Sequence, residues 1–257
     1  MRIATFNVNS LKARLGFVLH WLRAREPDVV CMQELKLADD KFPHAELEAL
    51  GYRAYVHGQA QWNGVAVLSR SEAEVLERGL PGADEIGARL IGVRVGDTKF
   101  TSVYVPNGKT VQHPDYQLKL RFLDRLVAHL RETTDPGSRA VVAGDFNIAP
   151  EDIDSWNPQR LAGSIFHTAE ERRRMDALRD LGLADLYRQK NPDGRMFSWW
   201  DYRAGCFHKN EGLRIDLLLA TAPILALTEE VMIDRDYRKK KDGQIPSDHA
   251  PVIAVLR

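Results

Sequence analysis

No stretch of this chain approaches the ~20 consecutive apolar residues that a membrane-spanning helix needs, so no such span is expected. Cysteine is scarce. Cys31 and Cys206 are the only two, they lie far apart, and they match no metal-binding spacing. Neither a CxxC nor an HExxH motif occurs, which argues against a zinc site. Net charge is missing too, because 36 basic and 36 acidic side chains cancel. That argues against a strongly basic coat for nucleic acid but leaves room for a local phosphate site. The N-terminal "MRIATFNVNS" carries one arginine and no apolar h-region, so no signal peptide is expected and the predicted location is cytoplasmic. No linker, low-complexity tract or composition shift divides the sequence, which reads as one domain over 1–257.

What is present is ordinary globular material, 44% hydrophobic and 28% charged. A chain of this length buries roughly three quarters of its unfolded surface and needs no staples. Cys31, inside the apolar "DVVCM", reads as a small buried thiol. Alternation predicts strands at 2–8, 28–34, 52–58, 64–70, 89–96, 99–106 and 139–146. Ser10 reads as the N-cap of a helix with Leu11, Leu15, Val18, Leu19 and Leu22 on one face, ending near Pro27. A second helix is expected over 115–132. A third follows the Thr168/Glu171 capping box and closes at Gly182. Further strands are expected at "MFSWWDY", "LRIDLLLAT", "LTEEVMID" and "PVIAVLR". This order suits an α/β fold with two antiparallel-rich sheets and helices outside. The two strand–helix–strand stretches that end in an acid, "CMQE" and "VAGDF", hint at a pseudo-repeat.

Polar residues gather at the ends of these strands: Asn7, Asn9, Glu34, Tyr104, Asn107, Asp145, Asn147 and the adjacent pair Asp248–His249. Singly, each has a bland reading, since asparagine forms turns and a strand-end glutamate is commonly solvated. Asp216 is harder to dismiss. It lies inside the apolar "LRIDLLL", where an unpaired carboxylate costs several kcal/mol. Its partner is either Arg214, in an ordinary ion pair, or His249, whose imidazole a carboxylate would orient. As a set, these carboxylate and amide oxygens suit Mg²⁺, with Mn²⁺ as a substitute, and a phosphodiester substrate.

The ordered segments "NVNS" (7–10), "QELK" (33–36), "NGVAVLS" (63–69), "VYVPNG" (103–108), "GDFN" (144–147), "SWWDYR…GLRIDLLLA" (198–220) and "SDHAP" (247–251) resemble the exonuclease III family of AP endonucleases. The resemblance runs from residue 1 to 257 and implies a four-layer α/β sandwich, two mixed, mainly antiparallel sheets face to face with helices outside. It implies that Glu34 is the principal metal ligand, with Asn7, Asn9 and Asp248 at the metal or its waters; the family often has an acid where Asn9 stands. It also implies that Asp145 prepares the attacking water beside Asn147. Tyr104, Asn107 and His249 would donate to the phosphate, with Asp216 behind the histidine. Trp199, Leu213 and Ile215 would form an apolar pocket for a flipped-out abasic sugar, with Arg214 among the substrate-binding positions; Trp200 reads as core. The basic run 238–241 reads either as a solvated hairpin tip or, through Lys239 and Lys240, as a backbone contact. Lys36, Lys109, Lys119, Arg203 and Lys209 are further candidates of that kind.

The activity so implied is incision 5′ to abasic sites, 3′→5′ exonuclease and 3′-phosphatase work on double-stranded DNA with abasic or 3′-blocked sites. The expected species is a monomer without membrane association. Two other classes compete: a phosphoesterase acting on phosphoinositide, sphingomyelin or RNA, and a non-catalytic DNA-binding scaffold. An intact set of Glu34, Asp145, Asn147, Asp248 and His249 argues against the scaffold.

Overall fold

Strands buried along nearly their whole length build the architecture of the computed structural model, which describes residues 1–257. In chain order the strands are β1 (Arg2–Asn7), β2 (Val29–Gln33), β3 (Arg53–His57), β4 (Val65–Ser69), β5 (Ala73–Arg78) and β6 (Leu90–Val95). There follow β7 (Thr98–Tyr104), β8 (Arg139–Asp145), β9 (Ala184–Asp185), β10 (Asp216–Ala220), β11 (Thr228–Ile233) and β12 (Val252–Leu256). The helices are α1 (Leu11–Arg25), α2 (His44–Glu48), α3 (Pro114–Thr133), α4 (Pro158–Leu161), α5 (Ala169–Arg179), α6 (Leu186–Lys190), α7 (Cys206–Lys209) and α8 (Ala222–Leu227).

Two six-stranded sheets result, ordered β11-β12-β1-β2-β4-β3 and β5-β6-β7-β8-β10-β9. They share one scheme. Each has a single parallel pair at its centre, β1 with β2 and β7 with β8, and every other pairing is antiparallel. In each parallel pair the crossover is a long helix, α1 or α3, as a parallel connection requires. The "CMQE"/"VAGDF" likeness therefore corresponds to two equivalent β-α-β units.

The period of two explains why these strands are apolar on both faces. On β2, Val29 and Cys31 point between the sheets, while Val30 and Met32 point out toward α1. Val141 and Ala143 on β8 likewise face inward, and Val142 faces α3 and α5. Three apolar layers follow, one between the sheets and one under each helical face, giving the four-layer sandwich. The Cys31 thiol is buried, and burial pushes its pKa up to about 12.

Local signals fix the helix ends. Ser10 caps α1 by accepting from the Ala13 amide, and the chain leaves through a left-handed Glu26 just before Pro27. The Thr168/Glu171 capping box forms with both reciprocal bonds, although α5 closes at Arg179 and Gly182 lies beyond it. One strand goes unexpected and one expected strand fails. "AEVLER" is an edge strand, β5, whose charged residues hide its alternation. "MFSWWDY" is not a strand; Trp199 makes only isolated bridges, to Leu213 and to His249.

Gly144 marks the tightest backbone approach. It pairs with Val103 across β7–β8, and a Cβ there would fall inside the Val103 carbonyl. Gly144→Ala is therefore expected to cost about 1–3 kcal/mol or more, as overpacking does. It should also reduce activity, because Asp145 is the next residue. A thermal melt beside a rate measurement checks both; an unchanged melting temperature would show that the strands can part here at no cost.

Candidate active site

The central parallel strands end on the same edge of the sandwich, which brings their terminal residues together: Asn7 of β1, Glu34 just after β2, Tyr104 of β7 and Asp145 of β8. Strands antiparallel to them begin where they end. Asp216 opens β10 directly opposite Asp145, and Asp248–His249 lead into β12, whose first residue Val252 pairs with Thr5. The topology thus explains why residues spread over more than two hundred positions meet.

Asn7 joins the two sheets. Its Nδ2 donates to Glu34 Oε1 (2.8 Å) and to Asp145 Oδ2 (2.8 Å). Asp145 Oδ1 accepts from the Asn147 amide at 2.9 Å. The Asn147 side chain donates to the Val105 carbonyl (3.0 Å) and accepts from Asn107 Nδ2 (3.3 Å). His249 Nδ1 sits 2.8 Å from Asp216 Oδ2, and its Nε2 is 3.8 Å from Asp145 Oδ2. Of the two partners open to Asp216, the structure selects His249.

The charges here are strongly perturbed. Burial pushes the Asp145 carboxyl up toward neutrality, Asp216 and Glu34 push it further, and His249 opposes them. Burial works against a charged His249, yet Asp216 and then Asp145 hold its pKa well above the ordinary histidine value. A protonated His249 donates from both nitrogens. Burial and the neighbouring Glu34 raise the Tyr104 hydroxyl well above its ordinary value, and the Arg89 guanidinium lies 4.5 Å from the centre of its ring.

Ligand atoms of Glu34, Asp145 and His249 lie within 4.8 Å of one another, a spacing that can hold a metal ion. With His249 committed to Asp216, the oxygens of Glu34 and Asp145 are the fitting donors, and crowded carboxylates favour a hard cation. Asp248 stands outside this group. Its oxygens accept from Asn9 Nδ2 (2.8 Å) and from the Trp199 indole (3.0 Å), and its pKa is lowered although burial opposes that. Asn9 Oδ1 accepts from Lys36 Nζ (2.7 Å), which also pairs with Glu34 Oε2 at 2.9 Å. In this arrangement Asn9 and Lys36 brace the site.

Beside the charged residues lies a small apolar group of Phe166, Leu213 and Ile215, against which Trp199, Trp156, Leu161 and Ile165 pack. Trp199 is half-buried with its indole N–H on Asp248, whereas Trp200 is fully buried in the inter-sheet core. Phe166 and Trp156 escaped the sequence reading. They stand in an aperiodic loop region where an aromatic carries no pattern.

Three basic residues need correction. Arg214 was expected at the substrate, but it is fully buried and paired with Asp154 (2.6 Å) and Asp185 (2.8 Å). Lys119 is also fully buried and reaches no surface. Arg238 of the basic run is buried as well and donates to the Asp248 and Trp200 carbonyls. Lys239 and Lys240 are exposed and line a surface pocket of about 410 Å³ with Tyr202 and Ile245. Lys109, Arg203 and Lys209 are exposed too. On the other flank, a cleft of about 640 Å³ runs from Glu34 past Lys36 and Asn107 to the exposed Trp62.

Residues 4–249 match the model of the endonuclease/exonuclease/phosphatase family. The chain is 34% identical to exodeoxyribonuclease III of Haemophilus influenzae, with full coverage of both. It superimposes with a TM-score of 0.95, at 37% identity, on a 3′ phosphatase from Neisseria bound to a product DNA hairpin, covering 100% of this chain and 99% of that one. An AP endonuclease from Archaeoglobus fulgidus gives the same TM-score, identity and coverage. No helix is long and apolar enough to cross a membrane.

Proposed function

The chain belongs to the endonuclease/exonuclease/phosphatase family, and on that premise we propose that it is a DNA repair nuclease of the exodeoxyribonuclease III type. It hydrolyses the phosphodiester 5′ to abasic sites and removes nucleotides or phosphate from 3′ ends of duplex DNA. The observation that carries this reading is the direct join between the charged site and the apolar group of Phe166, Leu213 and Ile215, made by the Trp199 indole on Asp248. A phosphate held at the first places a neighbouring sugar at the second. A base-less sugar fits such a pocket, and an intact nucleotide does not.

Glu34 would be the principal residue holding a divalent ion, which we take to be Mg²⁺, with Mn²⁺ able to substitute, and Asp145 stands beside it. When bound, the ion supplies charge stabilisation to the phosphoryl oxygens. The chain's own residues do the rest. Asp145, held by Asn7 and the Asn147 amide, orients a water and takes its proton. The water oxygen bonds to phosphorus as the phosphorus–O3′ bond breaks, and the departing O3′ takes a proton from solvent to leave as the hydroxyl. Protonated His249, held by Asp216, donates to the phosphate together with Tyr104, Asn107 and Asn147. Asn7 keeps Glu34 and Asp145 at a fixed separation. The protein acts as a monomer in the cytoplasm, and the exposed Lys239 and Lys240 meet the DNA backbone.

End-labelled duplexes, one with a synthetic abasic site and one with a recessed 3′ end, test this in Mg²⁺ and in chelator. Metal-dependent cleavage of either is expected. Phosphate release from an inositol phosphate without DNA cleavage would overturn the reading. Trp199→Ala is expected to reduce the preference for abasic over intact duplex by about 10-fold, the scale of a lost apolar contact. Trp199→Phe keeps the wall and should retain more of it. Equal preference in all three proteins would return Trp199 to the core.

A further inference from the structure

Lys119 projects from α3 into the protein, fully buried, and all three of its ammonium protons have an acceptor. Nζ donates to the Asn147 carbonyl at 2.6 Å, to the Asn107 carbonyl at 3.4 Å and to Glu171 Oε1. These acceptors lie on three separate segments: the turn after β7, the turn after β8 and the first turn of α5. Two of them are the main-chain oxygens of the asparagines whose side chains touch each other in the site. The stem packs on Gly108, where a Cβ would lie 3.2 Å from Lys119 Cδ. Nζ also stands 4.8 Å from the centre of the Phe166 ring, in the apolar group beside the site.

Glu171 extends the connection. Its Oε1 accepts from the Phe166 amide as well as from Lys119, and its Oε2 accepts from the Thr168 amide and hydroxyl. One buried ion pair therefore links both phosphate-facing asparagines to the sugar-facing phenylalanine. Without the ammonium, the Asn107 and Asn147 carbonyls lose their shared donor, and the two loops are left to the Asn107–Asn147 and Asn147–Val105 side-chain bonds, neither of which reaches Phe166.

We propose that Lys119 is a positioning residue: its ammonium sets the distance between the Asn107/Asn147 phosphate donors and the Phe166 pocket wall, and thereby the rate of the chemical step. The proposal rests on the nuclease reading above.

The test uses Lys119→Met alone and combined with Glu171→Gln. The single variant leaves a buried carboxylate unpaired and is expected to melt early. The double variant removes both charges and keeps a capping-box residue at 171, so its melting temperature should return close to that of the wild type. Its kcat on the abasic duplex should nevertheless stay about 10- to 100-fold low with KM unchanged, the scale of a misplacement near 1 Å. Glu171→Gln alone retains the ammonium but loosens its anchor, and should lower kcat about 3-fold at unchanged KM. Recovery of both melting temperature and kcat in the double variant would reduce Lys119 to a stability role. A rise in KM without a kcat loss would make it a substrate contact, and unchanged kcat in Glu171→Gln would also overturn the proposal. Wild-type protein that cuts neither duplex would instead sink the parent reading, which separates the two failures.

Discussion

Asp145→Asn is expected to lower the single-turnover rate on abasic duplex by about 10³-fold, within the range seen when a general base is removed. Binding of the same duplex should survive or tighten. The residue takes its place from three hydrogen bonds an amide can partly keep, one from Asn7 Nδ2, one from the Asn147 main-chain N–H and one from Asn147 Nδ2. What an amide cannot do is accept a proton from water at neutral pH. The native carboxylate can, and Asn7 and Asn147 hold it beside Glu34 and His249. Removing one negative charge also relieves repulsion of the phosphate. Quench-flow at saturating enzyme, beside a fluorescence titration of uncleaved duplex, reads the two effects separately. A variant within about tenfold of the wild-type rate would remove Asp145 from proton transfer.

Arg214→Met is expected to destabilise the fold rather than weaken substrate binding. The guanidinium donates through Nε and Nη2 to the two oxygens of Asp154, and Nη1 lies 2.8 Å from Asp185 Oδ2. Both acids are buried, and Arg188 is the only other cation paired with Asp154. Breaking such a buried pair costs about 3–5 kcal/mol, chiefly by stranding the partner charge. For a chain of this size that corresponds to a melting temperature about 6–20 °C lower. Below that temperature KM for DNA should stay at the wild-type value. A stable variant with a raised KM would restore the sequence expectation that Arg214 touches substrate.

That contrast shows where sequence legibility ended. The strands around the site were readable as alternating or continuous apolar runs, and the site residues because each stands at the end of such a run, where a polar side chain is conspicuous. Asp216 announced itself by interrupting "LRIDLLL". Arg214 and Lys119 were misplaced for the opposite reason. A basic residue in sequence reads as solvent-facing, and its burial depends on acids 60 and 52 positions away, Asp154 and Glu171. No local pattern encodes a pairing at that separation. Phe166 and Trp156 were missed because an aromatic in an aperiodic loop looks the same whether it lines a pocket or fills a gap. Edge strand β5 went unread because its charged residues break the alternation: Glu74 faces water, while Glu77 turns in to pair with Lys99 and His129.

The shared pairing scheme of the two sheets has a consequence for how activity should fail. Each β-α-β unit delivers one acid, Glu34 from the first and Asp145 from the second, and the Asn7 amide is the clasp between them. Neither half owns a complete centre, so the chemistry exists only at the seam. A slip of one sheet over the other by a single side-chain layer would leave both halves folded and the seam open. Catalysis is therefore a sensor of inter-sheet docking. Under mild denaturant it should disappear before the far-ultraviolet signal of either sheet changes.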